Sequence, residues 1–300
     1  MRVFQFSKPK TPGFGISRSY YLTVLSSSPV LPPPIQLVEP SGAFGAVEGF
    51  GVPLASDAGK ESLSRPMERG IYAAATKDRK TVLKIRVLSK EEGMFDSEAF
   101  AMSSLARGAS PDLIARIRAT WILAQFSFES HDPMVYSSLD FLLDLVQRLA
   151  LLTEGVIADP IARRYRLPNE LLQPVRLDPR IDARDHVDIV LRSKPDGIYA
   201  HSLGMQKFGL PELEISGLLE QDKEPAIRLM LAICQNALLG DLAKSGDRFG
   251  ADKAPFEARE GGFDRTLWDG IPVLELLPPT TKTAHDALAL WEIELAKQQI

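Results

Sequence analysis

The chain has a single cysteine, Cys234, among its 300 residues. One thiol can neither close an intrachain disulfide nor supply a cysteine-based metal cluster, and such sparing use fits a reducing compartment, so a cytoplasmic location is expected. Histidines number four, and none stands in an H-E-x-x-H or two-cysteine, two-histidine spacing. No uninterrupted apolar run approaches the roughly 18 residues of a membrane-spanning helix. Strong positive charge is missing too, with a formal net charge of -4 and an isoelectric point near 5.7. Without a global positive field, neither nucleic acid nor an anionic membrane is an expected partner. Nucleotide and nucleophile signatures also fail. The glycines of residues 42–51 miss the dinucleotide spacing, Gly59-Lys60 lacks the first glycine and the closing Ser or Thr of a phosphate loop, and no nucleophile elbow occurs. No metal or cofactor is expected.

What is present is ample material for a folded core, 45% hydrophobic and 25% charged. Residues 1–38 carry Arg2, Lys8, Lys10 and Arg18 but no acidic residue, and they end in a serine- and proline-rich stretch. Pro9, Pro12, Gly13 and Gly15 interrupt any amphipathic targeting helix, and the apolar run 20–25 is too short for a secretory core. Residues 1–70 therefore read as an irregular or extended arm, peripheral to a globular domain over 71–300 that divides, if at all, near residue 175.

Within that domain the pattern is α+β: a mixed sheet with a β-α-β unit, an antiparallel hairpin and covering helices. Residues 81–88 form a strand candidate, a helical region within 97–119 is broken near Gly108 and Pro111, and 120–128 read as an interior strand apolar on both faces. After Asp132-Pro133, the helical spacing of Leu139, Leu142, Leu143, Val146, Leu149 and Ala150 runs to Gly155, and 155–159 give the second strand of the β-α-β unit. Residues 185–192 and 198–203 flank Lys194-Pro-Asp-Gly197 as a hairpin. A helix capped near Asp222 follows, its apolar stripe of Ile227, Met230, Leu231, Cys234 and Leu238 making Cys234 a buried structural thiol. A last strand covers 271–276, and Thr283 with Asp286 makes a capping box for a helix ending near Lys297. His131 and His285 beside helix starts, Asp159 before Pro160, and the Arg163, Arg164 and Arg166 run read as caps, turns and solvated surface.

Pairing across a two-residue loop puts Val187, Ile189 and Leu191 on one face with Ile198 and Ala200, the expected core side. His186, Asp188 and Arg192 then share the other face with Tyr199 and His201, Asp188 lying diagonally from His201. Alternation alone explains that polar face as solvent-facing. Beyond it, Gly204 and Gly209 permit positive backbone angles and Pro211 stiffens the loop. Glu212 and Glu214 would project to one side of an extended segment, with Leu213 and Ile215 packed inward. Histidine with carboxylates suits general acid–base work, so His201, Asp188 and Glu212 are the catalytic candidates. His201, Gly204, Gly209, Glu212 and Glu214 are the ligand-binding ones.

The segment H-x-x-G-M-x-x-F-G-x-P-E-L-E from His201 to Glu214, together with residues 153–159 and Trp268-Asp-Gly-Ile-Pro272, resembles uncharacterised bacterial proteins of unknown function. The resemblance spans roughly residues 119–280 and implies no reaction, cofactor or catalytic residue. The expectation is a soluble domain that binds a protein or small molecule through the sheet's polar edge and the 204–214 loop. A hydrolase-like enzyme centred on His201 and a structural homo-oligomerisation domain are the alternatives.

Overall fold

The computed structural model describes residues 15–17, 20–39, 52–54, 60–106, 108–131, 135–170, 181–262, 268 and 270–298. The chain divides into two compact units, residues 18–180 and residues 1–17 with 181–300. Both are α+β.

The first unit contains β1 (Tyr21–Ser26), α1 (Pro34–Val38), β2 (Val52–Leu54), β3 (Gly70–Ala75), β4 (Val82–Ser89), α2 (Ser97–Met102), α3 (Pro111–Arg118), β5 (Ile122–Ser130), α4 (Val135–Leu152), β6 (Val156–Asp159) and β7 (Arg164–Arg166). Its seven strands run in the order β2-β3-β4-β5-β1-β6-β7, antiparallel throughout. Both β5 and β6 are antiparallel to β1, so they are parallel to each other, and the expected β-α-β unit is present with β1 inserted between its strands. The break near Gly108 and Pro111 separates α2 from α3, where the Ser110 hydroxyl accepts from the Leu113 N–H at the start of α3. Those two helices bury Phe100, Leu113 and Ile117 against Leu25, Leu123, Val156 and Ala158 of the sheet, while α4 packs along β1 and β6.

The N-terminal arm needs correction. Residues 21–26 form the strand between β5 and β6, and Tyr20, Leu22, Val24 and Leu25 are buried. A short, charge-free apolar run bounded by polar residues is what a strand covered on both faces requires, and it reads the same as an arm until its partners are known. Leu31 and Met67, both buried, make a further bridge, so this stretch adds to the core well before residue 71.

The second unit contains α5 (Ala183–His186), β8 (Asp188–Lys194), β9 (Gly197–Leu203), β10 (Glu212–Leu218), α6 (Lys223–Leu238), β11 (Arg248–Ala251), β12 (Ala254–Glu260), β13 (Val273–Leu277) and α7 (Ala284–Gln298). Its sheet is mixed, in the order β11-β12-β13-β10-β9-β8, with β10 and β13 parallel. Residues 15–17 belong here, the Ser17 N–H donating to the Lys207 carbonyl at 2.7 Å. The α6 stripe is rotated slightly from expectation: Ala226, Leu229, Met230, Ile233, Cys234 and Ala237 are buried, and Ile227 and Leu231 only partly so. Burial pushes the Cys234 thiol far above its ordinary range, consistent with an inert core side chain. Asp222 does not cap α6 with its side chain; its carboxylate accepts from the Leu219 N–H and from Nδ1 of His285 at 2.6 Å. The capping box forms as expected, with Thr283 and Asp286 exchanging hydrogen bonds.

Candidate functional site

The site is built on the hairpin. Two residues, Pro195 and Asp196, connect Lys194 to its partner Gly197, whose φ of +130° and close approach to the Leu218 carbonyl suit glycine alone. The ladder pairs Val190 with His201, Arg192 with Tyr199 and Asp188 with Leu203, so the expected register holds and Asp188 is diagonal to His201. On its other side β9 meets β10, and Glu214 stands opposite His201.

This face is not solvent-exposed. Tyr199, His201 and Glu214 are at most 1% exposed. The expectation of a wetted polar face fails because Trp268, from the connection before β13, lies over it. Its indole N–H donates to Oε2 of Glu214 at 2.5 Å, and the Tyr199 hydroxyl donates to the same oxygen at 2.6 Å. The His201 ring meets Trp268 edge-on at 5.5 Å and lies 5.1 Å from the Tyr199 ring. Leu203, Val273, Val190 and Ile271 complete an apolar cover around the indole. Beside Glu214 on the parallel neighbour stands Glu275, whose carboxyl is held above its usual range by burial and then by the charge of Glu214, with Arg259 opposing.

The two glutamates, expected on one side of an extended segment, sit in a central strand and do different work. Glu212 turns back to the loop: Oε1 accepts the N–H groups of Gly204 (2.8 Å) and Gln206 (3.2 Å), and Oε2 accepts the Ser202 hydroxyl (2.6 Å). Ser202 Oγ in turn accepts the Leu213 N–H. The carboxylate thereby holds the start of the short 3-10 turn Met205–Phe208, which Gly209 closes at φ +67°. Gly204 admits no side chain, because a Cβ would lie 2.2 Å from the His186 carbonyl oxygen. Burial raises the Glu212 carboxyl above the usual range; its hydrogen bonds from Ser202, Gly204 and Gln206, and the charge of buried Lys207, oppose the rise.

In front of Trp268, at the end of the sheet where β10 and β13 begin and β12 ends, opens a cleft of about 810 Å³. Trp268, Ile271 and Pro211 give it apolar walls, and Lys244 and Glu260 place opposite charges in its lining. Of the sequence-derived ligand candidates only Gly209 lines it; His201, Gly204, Glu212 and Glu214 do not. Sequence reasoning missed Trp268 as the cover of the buried cluster and Ser202 and Lys207 as supports of Glu212. The Trp268-Asp-Gly-Ile-Pro272 stretch carried the one available signal. Among the described residues no group of three or more His, Cys, Asp and Glu side chains is placed to hold a metal ion, and no helix is long and apolar enough to cross a membrane. Comparison with protein-family models, curated proteins and solved structures finds no match.

Proposed function

We propose that the second unit is a binding module that takes a small molecule, or a short extended segment of another protein, in the cleft before Trp268. The observation that carries this reading is the double position of Trp268, which lines the cleft with only 5% of its surface exposed and donates its indole N–H to Glu214 in the buried cluster. A wall fixed from behind by a buried carboxylate is a rigid apolar platform of the kind ligand sites use, with a few polar groups at the margin for orientation. His201, Glu214 and Tyr199 act here as supports for the wall. Hydrolysis at His201 finds less support, because the ring is buried behind Trp268 and Glu212 is engaged by Ser202 and the 204–206 backbone. In this reading the protein is cytoplasmic and bacterial, in keeping with its single cysteine and the sequence resemblance.

The test is a screen of a metabolite panel and a peptide library against a Trp121→Phe, Trp291→Phe variant, in which Trp268 is the remaining indole. A binder that changes Trp268 emission in this protein, and loses affinity when exposed Ser245 in the cleft lining becomes Phe, supports the proposal. Binders that are indifferent to Ser245→Phe count against it.

A further inference from the structure

The outer edge of β8 carries a second inference, independent of the cleft. Among the described residues the two sheets end in β2, β7, β11 and β8. Three of these are short, with three, three and four residues, the usual protection of a sheet edge. The fourth, β8, has seven residues, no proline, and an unbroken ladder with β9 on its inner side. Its apolar run is Ile189-Val190-Leu191, each only partly buried, and its ends are oppositely charged, Asp188 at one and Lys194 at the other.

We infer that β8 pairs with β8 of a second copy of this chain, antiparallel and centred on Leu191, to make a continuous twelve-stranded sheet from the two six-stranded ones. Charge selects this arrangement. Two-fold pairing about Leu191 sets Asp188 opposite Lys194 of the other copy twice over, Ile189 opposite Ser193 and Val190 opposite Arg192. Parallel pairing in register would instead set Asp188 against Asp188 and Lys194 against Lys194. Directly opposed unlike charges stabilise a strand pair and like charges destabilise it. Asp188 and Lys194 are six positions apart in the strand, so in the joined sheet both lie on the face that carries Val190 and Arg192. A closed two-fold contact uses up both edges, and assembly stops at the dimer.

The experiment is sedimentation velocity on the full chain over a roughly hundredfold concentration range, a span suited to a contact smaller than a large obligate interface. The variants are Asp188→Lys, Lys194→Asp and the two combined, with circular dichroism confirming that each is folded. Each single reversal occurs twice per dimer and is expected to weaken association by about tenfold or more, while the combined exchange restores it. A chain that stays monomeric throughout overturns the inference. So does a dimer indifferent to the single reversals, or one that the combined exchange fails to restore.

Discussion

His201 and Glu214 face one another across the β9–β10 ladder, both fully buried, and the same indole, Trp268, packs edge-on against the first and donates its N–H to the second. A histidine and a carboxylate that look like reactive groups in the sequence thus form the back of a cleft wall.

If that wall depends on Glu214, Trp268→Phe, which keeps an aromatic ring but removes the N–H donor and the fused five-membered ring, should cost at least the roughly 1–3 kcal/mol usual for taking one partner from a buried polar group. Tyr199→Phe removes the second donor to the same oxygen. The double variant should depart from the sum of the singles, because both act on one acceptor. Urea unfolding of the four proteins measures it, and simple additivity would separate the two donors.

Glu212 should behave as a bolt for the 204–208 turn. Glu212→Ala leaves the Gly204 and Gln206 N–H groups and the Ser202 hydroxyl without their acceptor and should cost about 3–5 kcal/mol, with Glu212→Gln milder. The pH dependence follows from the raised carboxyl. Its contribution is full below the ordinary value of 4.5 and is lost as pH rises through the higher folded value. The stability advantage of wild type over Glu212→Gln should therefore shrink as pH increases through that window, as chemical denaturation at several pH values will show.

The His285 imidazole responds to pH in another range. The hydrogen bond from His285 to Asp222, and then the carboxylate's charge, hold the imidazole above its ordinary 6.5. Stability from this pair is present below that value and disappears as pH rises through the folded one. His285→Gln should accordingly flatten the fall in stability from mildly acidic to mildly alkaline pH. An unchanged profile would mean that the pair does not couple protonation to folding.

Deletion of residues 1–26 removes β1 from between β5 and β6 and should abolish cooperative unfolding of the first unit. Val24→Asp, which puts a charge at a position with no exposure, should destabilise that unit by more than about 3 kcal/mol. Thermal unfolding of each variant beside the full chain is the check.

The sequence made the hairpin legible because a two-residue loop at Pro195-Asp196 or at Asp196-Gly197 puts the same residues on one face, and the structure uses the first. It did not reveal what lies over that face. Alternation reads the same whether water or Trp268 covers Tyr199 and His201, and the indole comes from a connection more than sixty residues away. Glu212 and Glu214 looked equivalent for a related reason: their different roles depend on the loop N–H groups and on Trp268, neither of which the strand pattern encodes. At β1 the obstacle was length, since six residues of apolar strand have meaning only beside β5 and β6.

The most direct test of the account is the reactivity of His201 toward diethyl pyrocarbonate, followed by peptide mass spectrometry on the folded protein. Exposed His131 and partly exposed His285 should be modified readily, while His201 stays protected until Trp268→Ala removes its cover. Modification of His201 in the intact protein as fast as His285 would mean that reagents reach it past Trp268, contradicting the cleft-wall account and favouring chemistry at His201.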